Sequence, residues 1–427
     1  MRTDLWGETG GDSAGKPPRR AARFHYAWVI LLSCCALSGA TLGTVINCKG
    51  LFFAPVCAEL GCPVSAFTLY TMFYGFSAAL MLLAVDRVFE KFPIRAVLTV
   101  SLAALCGATA AMGTFSRLAL WYAAGIVQGL AGAFLLYVPV PMLIDHWFVR
   151  RRGPALGAAA VVSGLAGAVM NPVLSAVISA YGWRTAYFVQ GGAAFLMAAP
   201  FTMFLIVKQP SDLGMKAYGA EERLKEAPAA PRGNALPGAD RRGFASCLLL
   251  AGIFTFCASY AQHLANYAAV IRLSARVGAW MVSCSMLGNI LGKALLGAGC
   301  ERWGSRRVCL FSLGLVLCGF LLLSLGERWN ACLFAGAFLS GVDHANMTVM
   351  VPMAVETAAG PGEFEHLMSR ASMSTMIASA LAATLISGSY DFFGSYQAVF
   401  LIGAALQLVC MYLTRRLFPP LRVPQNI

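Results

Sequence analysis

Two lysines stand in stretches whose neighbours are almost all apolar: Lys49 in VINCKGLFFAPV and Lys293 in MLGNILGKALLG. An ionisable side chain at the centre of a membrane helix costs roughly 3 kcal/mol or more, so each lysine is a candidate for binding an anion. Other polar residues in apolar runs could hold a cargo's oxygens or carry a proton. Asn289 precedes Lys293 by one helical turn on the same face, and Tyr70 and Tyr74 are expected to line a cavity as hydrogen-bond donors. His263, beside Gln262 and Asn266, is a candidate for both tasks, whereas Asp343 and His344 are candidates for proton coupling. Asp343 or a neighbouring histidine is expected to carry the coupling proton or to neutralise Lys293 when the site is empty. A plainer reading stands beside each: lysines near helix ends snorkel to the interface, and buried polar groups bond neighbouring helices.

The elements that must position these residues are membrane helices. The chain has 427 residues, of which 59% are hydrophobic and 12% charged, against about 25% charged in soluble domains. Apolar runs of the ~20 residues needed to cross a bilayer recur at 26–53, 65–85, 95–115, 118–144, 153–180, 184–207, 244–270, 277–298, 307–326, 331–355, 371–391 and 396–414. None alternates as barrel strands do. The fold class is therefore all-α integral membrane, with twelve transmembrane helices.

Cations set the orientation. Arg19, Arg20, Arg23, Arg87, Lys91, Arg95, Arg150, Arg151, Arg152, Arg241, Arg242, Arg302, Arg306, Arg307, Arg415 and Arg416 fall on one side, and the other side holds scattered ones such as Arg117 and Arg184. By the positive-inside bias both termini are cytoplasmic and the expected location is the cell (inner) membrane. The same bias accounts for a net charge of +13 without a nucleic-acid partner. Residues 1–24 and 415–427 read as cytoplasmic tails, with the first helix as its own insertion signal. Residues 208–243, rich in Ala, Pro, Gly, Glu and Lys, read as a flexible linker between six-helix bundles at 25–207 and 244–414.

The halves are related to each other. Gly182, Ala186 and Phe188 recur 212 residues later as Gly394, Ala398 and Phe400, and EKFPIRAV falls 211 residues before ERWGSRRV. A duplicated six-helix unit places its site near the midplane between the repeats and alternates access by rocking. Gly125-x-x-x-Gly129, Gly153-x-x-x-Gly157 and Gly288-x-x-x-Gly292 are expected to permit close helix contact, and Pro139, Pro141 and Pro172 to mark kinks.

These features resemble a major facilitator superfamily transporter over about residues 25–414. The second copy of the signature inner-turn motif, with Gly297, Glu301, Arg302, Gly304, Arg306 and Arg307, is intact. In the first copy, with Glu90, Lys91 and Arg95, Asp86 and Pro93 replace the two glycines. The resemblance implies that these charges latch and release the inner gate. The alternative is that they are ordinary membrane anchors.

Within that superfamily the chain resembles the oxalate/formate antiporter and monocarboxylate porter families. The likeness is carried by Trp147-Phe148, the run from Arg150 to Gly157, Gly182-Trp183-Arg184, Pro210-Ser-Asp212-Leu-Gly214 and Gly288-Asn289-Ile-Leu-Gly292-Lys293. It implies that Lys293 binds the substrate carboxylate and that Lys49 assists from the first helix. Two departures matter. Asn289 stands where monocarboxylate porters carry an Asp, so proton coupling through that pair does not transfer. The eleventh span has no lysine after Arg370 to match a dianion, and a monocarboxylate is the expected cargo.

Enzymatic readings fail on content. The 14 cysteines form no C-x-x-C pair, and neither H-E-x-x-H nor a P-loop occurs. Cys57 and Cys62 fall near an outer turn, where pairing is open. The expected protein is not an enzyme and has no cofactor or metal. It is a monomeric secondary transporter in a lipid bilayer, exchanging or co-transporting a small organic anion with a proton or counter-anion. The alternatives are an exporter of lipophilic compounds, and a non-transporting sensor with the same fold.

Overall fold

The computed structural model describes residues 25–149, 151–220, 241–326, 330–358 and 364–418. Ten apolar helical stretches are long enough to cross a bilayer. One of them, Gly153–Leu205, is broken at Gly182, whose φ of 82° and ψ of 163° lie outside the helical region. Asn330–Ala358 is a further helix of 29 residues, which brings the count among the described residues to twelve. In chain order they are α1 (Ala27–Leu60), α2 (Val64–Lys91), α3 (Ile94–Ala111), α4 (Leu118–Trp147), α5 (152–181) and α6 (183–205). The second half contributes α7 (Gly243–Val270), α8 (Ala275–Trp303), α9 (Ser305–Ser324), α10 (Asn330–Ala358), α11 (Phe364–Phe393) and α12 (Tyr396–Leu417).

The repeat shows in the turns. Gly182 and its counterpart Gly394 both have positive φ, 82° and 66°, a conformation that strains any residue with a Cβ. Gly304, between α8 and α9, also has positive φ at 81°. Its counterpart Pro93 cannot adopt that conformation and makes its turn extended, with φ −59° and ψ 130°.

Regular α-geometry breaks at matching places too. Within α1 a π-helical stretch, Gly39–Ile46, is followed by a 3-10 turn, Lys49–Phe52, and within α7 a 3-10 turn covers Ser259–His263. A π stretch needs a neighbour for its displaced carbonyls. Buried Gln190 of α6 supplies it, its Nε2 donating to the Thr44 carbonyl at 2.8 Å. Gly43 lets the π stretch lie on α5, where a Cβ would stand 2.6 Å from that of Ala166.

The two halves meet in the parts of the helices remote from the termini. Ser65 N donates to Asp391 Oδ2 at 3.3 Å, and Thr68 Oγ1 lies 3.4 Å from Ser387 Oγ, joining α2 to α11. Pro172 inside α5 has no N–H for the carbonyl of Ala168. Ser283 Oγ of α8 donates to that carbonyl at 2.8 Å, so a proline on one half creates the acceptor that the other half binds. α1 and α7 touch at Gly50, whose missing side chain makes room for the Gln262 carbonyl.

Two expectations need correction. Residues 208–220 are not a free linker: Lys208 Nζ donates to the Phe89 carbonyl at 3.0 Å, Tyr218 N to that of Trp147 at 2.9 Å, and the Tyr218 ring packs on Trp28. The Pro210–Gly214 motif is a capped 3-10 turn there. Residues 221–240, the whole expected tail at 1–24 and the second tail save its Arg415–Phe418 stretch lie outside the described residues. Gly153 and Gly157 face open space, so that glycine pair makes no close contact. Pro139 and Pro141 begin the last segment of α4 after a second π stretch, and Pro172 lies inside α5. Cys57 and Cys62 are both free thiols.

Candidate functional site

Lys49 owes its place to glycines two helices away. On α4, Gly125 and Gly129 meet the carbonyls of Tyr70 and Tyr74, so α2 packs backbone-close at those two residues. Tyr70 and Tyr74 are one turn apart on one face, and both rings turn to Lys49. Its Nζ is 4.0 Å from the Tyr74 centroid and 5.4 Å from that of Tyr70. The lysine is 6% exposed and is paired to no carboxylate among the described residues. Cation–π contacts contribute up to about 2 kcal/mol, against several kcal/mol to desolvate the ion. The remainder is what an anionic ligand could offset.

His263 lies across the junction of the halves from this turn. Its ring packs on Phe53 at 5.4 Å, it is fully buried, and neither ring nitrogen has a hydrogen-bond partner. Asn266 and Tyr267, its helical neighbours, are committed elsewhere: Asn266 Nδ2 donates to Tyr396 Oη at 2.6 Å and Tyr267 Oη to the Leu323 carbonyl at 3.0 Å.

Lys293 is set by the close pairing of α8 with α10. Gly288 meets the Phe338 carbonyl, Gly292 would put a Cβ 2.9 Å from that of Ala345, and Gly341 answers against Ser285. Lys293 is half-buried, with no carboxylate partner among the described residues, and lies within electrostatic range of His344. Asn289, one turn away, is buried with its Oδ1 unpartnered, and its Nδ2 faces Gly164 of α5. α8 also touches the Lys49–Phe52 turn. At 1.5 Å per residue Lys293 lies roughly 10 Å nearer the terminal end than Lys49.

Asp343 does not join this group. Residues 343 and 344 point about 100° apart on a helix, so while His344 approaches α8, Asp343 turns into the second bundle toward α9 and α12. It makes no ion pair with Lys293. Of the two groups expected to neutralise Lys293, Asp343 is turned away from it, and the neighbouring His344 lies within its range.

The expected gate charges form no latch among the described residues. Arg95 Nε donates to the Ile206 carbonyl at 2.7 Å, within its own half. Glu90 and Lys91 are exposed, with Lys91 over Phe92 at 5.7 Å. Arg302 lies over Trp303, also at 5.7 Å, while Arg306 is half-buried and Arg307 exposed. The side chain of Glu301 lies outside the described residues.

One ion pair was not foreseen. Arg184 Nη2 binds Glu59 Oε1 at 2.8 Å, and Trp183 Nε1 donates to Glu59 Oε2 at 2.6 Å. The Gly182-Trp183-Arg184 motif thus ties α6 to the end of α1. Its partner, 124 residues away from Trp183, carries no local signal.

Known proteins resemble this chain in sequence and in fold. The chain is 26% identical over 253 residues to monocarboxylate transporter 4 of Rattus norvegicus, an alignment that covers 56% of this chain and 51% of that one. It is 33% identical over 67 residues to monocarboxylate transporter 14 of Mus musculus, over 16% and 13% of the two chains. The chain thus spans about half the length of the first of these relatives and less of the second. Among solved structures, the nucleoside transporter NupG is similar with a TM-score of 0.68 at 13% identity, over 93% of this chain and 100% of that one. A bacterial homolog of the human lysosomal transporter Spinster, crystallised inward-facing and unoccupied, gives 0.60 at 14% identity, over 92% and 93%. Residues 29–271 and 243–426 match the sequence model of the Major Facilitator Superfamily, and with twelve helices in two related halves the chain belongs to that family.

Proposed function

We propose that this transporter moves a small organic anion, a monocarboxylate, by alternating access across the cell membrane, with both termini cytoplasmic. The carrying observation is Lys49: an enclosed lysine at the junction of the halves, faced by two tyrosine rings and, among the described residues, by no carboxylate. Lys293 supplies a second cation from the other half. An anion passing between them bridges α1 and α8 and draws the halves together, which links binding to rocking. His263, Asn289, Tyr70 and Tyr74 offer neutral groups around that path.

The contacts remote from the termini close one end. With cytoplasmic termini, cargo entering from the inner side would reach Lys293 before Lys49. The names of the two aligned relatives agree with a monocarboxylate cargo. Energy comes from a co-transported proton or a counter-anion, with His344 and His263 as proton carriers on the cargo's side and Asp343 behind it.

A thermal-shift screen of the purified protein tests the cargo class. Formate, acetate, lactate and pyruvate should stabilise it, with the shift lost in Lys49→Ala. Stabilisation by neutral lipophilic compounds alone would favour the exporter reading.

A further inference from the structure

Three helices of the second half leave a seam open to the bilayer. Gly288, Gly292 and Gly341 draw α8 onto α10, while Gly319 of α9 meets Gly336 on another face of α10. α8 and α9 close on each other at their turn, where Val308 lies against Gly299. Beyond the turn a cavity of about 530 Å³ remains between them. The buried Gly292, Leu296 and Val342 form its floor, and Leu295 and Phe311, 69% and 68% exposed, form its open rim. Toward the turn stand Trp303, which is exposed, and Arg307, also exposed and paired with no carboxylate among the described residues. Ser312, which also lines the cavity, is already engaged, its Oγ donating to Asn346 Oδ1 at 2.8 Å.

This lining selects the occupant. An apolar cavity gives water no partners, and a small carboxylate would leave the apolar walls unfilled. Leucine and phenylalanine on the rim of a membrane helix face lipid chains, which are as apolar as they are. A chain fits the length: the eight residues of α9 from Arg307 to Leu315 rise about 12 Å, close to the ~15 Å depth of one leaflet's hydrocarbon. The headgroup then lies level with Arg307, whose guanidinium can bind a phosphate through paired hydrogen bonds. Trp303 sits beside it at the interface, where indoles settle. Arg302 and the half-buried Arg306 add positive charge at the same corner, which favours a headgroup of net negative charge.

We propose that the groove between α8 and α9 is a binding site for an anionic phospholipid, with one acyl chain along Leu295, Phe311 and Leu315 and its phosphate at Arg307. The site lies at the end of the helices that carries the termini, which is the cytoplasmic leaflet in the orientation given above. Gly292 and Val342 of its floor adjoin Lys293 and Asp343 in the chain, so the bound lipid backs the wall that carries them. The site goes beyond the transport reading and stands whatever the cargo is.

Native mass spectrometry of delipidated protein, titrated with phosphatidylglycerol or phosphatidylcholine of identical chains, tests it. The wild type should take one phosphatidylglycerol at least fivefold more tightly than phosphatidylcholine. Arg307→Gln should cut that preference about fivefold, the weight of one basic residue near an anionic headgroup. Leu295→Trp, which fills the groove, should weaken both lipids. Both side chains are exposed, and an unchanged Tm of the delipidated variants checks their fold. Arg416→Gln, at an exposed arginine of the same end but on α12, should change nothing. Equal loss in Arg416→Gln would reduce the effect to general attraction by a basic surface and overturn the site, as would equal affinity for the two lipids. Displacement by glycerol phosphate, which has no chains, would make this a site for a soluble phosphate, and a dimer in place of the lipid adduct would make the groove an interface between copies; either result overturns the proposal.

Discussion

Lys49 Nζ lies 4.0 Å from the centre of the Tyr74 ring, on the side that α2 presents because Gly129 of α4 admits the Tyr74 backbone. Ring and cation are thus placed by helix packing. Tyr74→Phe should keep transport within about threefold of wild type, because the π face remains. Tyr74→Leu removes a contact worth about 0.5–2 kcal/mol and should raise KM some two- to thirtyfold. Equal effects of the two changes would show that the hydroxyl, not the ring, matters.

Lys293 is half-buried beside His344, within reach of planar recognition if its ammonium is exchanged for a guanidinium. Lys293→Arg should retain uptake and narrow selectivity among carboxylates, because a bidentate fork fixes the oxygen geometry. Lys293→Gln should lose uptake. Competition by a panel of carboxylates reads both, and an active Gln variant would place the anion elsewhere.

Gly50 is where α1 and α7 touch, and any Cβ there would run into the Gln262 carbonyl. Gly50→Val should hold the halves apart at the end remote from the termini. Thiol-reactive labelling of a cysteine introduced at Ser65, in an otherwise cysteine-free background, should rise severalfold in that variant. Unchanged labelling would mean that this contact does not hold the closure.

The hydrogen bond from Ser283 to the carbonyl left free by Pro172 is a measurable joint between the halves. Ser283→Ala should destabilise by about 1 kcal/mol, read as a lower Tm. The double variant with Pro172→Ala, which restores the helical donor, should recover most of that loss. Failure to recover would detach the serine's role from the proline.

Much of this was legible in the sequence because the relevant constraints are local or periodic. Apolar run lengths gave the helices, and the 212-residue offset picked out Gly182 and Gly394, which share a positive φ. Tyr70 and Tyr74, one turn apart, emerged as a pair. What stayed hidden depends on rotation and distance. Adjacent residues on a helix diverge by about 100°, so no pattern could tell that His344 would face α8 while Asp343 turned to Gln407. The partner of Arg184 is Glu59, far away in sequence, and the π stretch at Gly39–Ile46 depends on Gln190. Gly153 and Gly157 had the spacing of a contact motif but no helix opposite them.

Uptake of labelled formate, acetate, lactate and pyruvate into vesicles carrying the purified protein, compared among wild type, Lys49→Ala and Lys293→Ala, tests the central claim most directly. Saturable uptake of a monocarboxylate, reduced at least tenfold by either substitution in protein that remains folded and monodisperse, is the expected result. Uptake of none of them, or uptake indifferent to both lysines, would contradict the assignment of the site between α1 and α8.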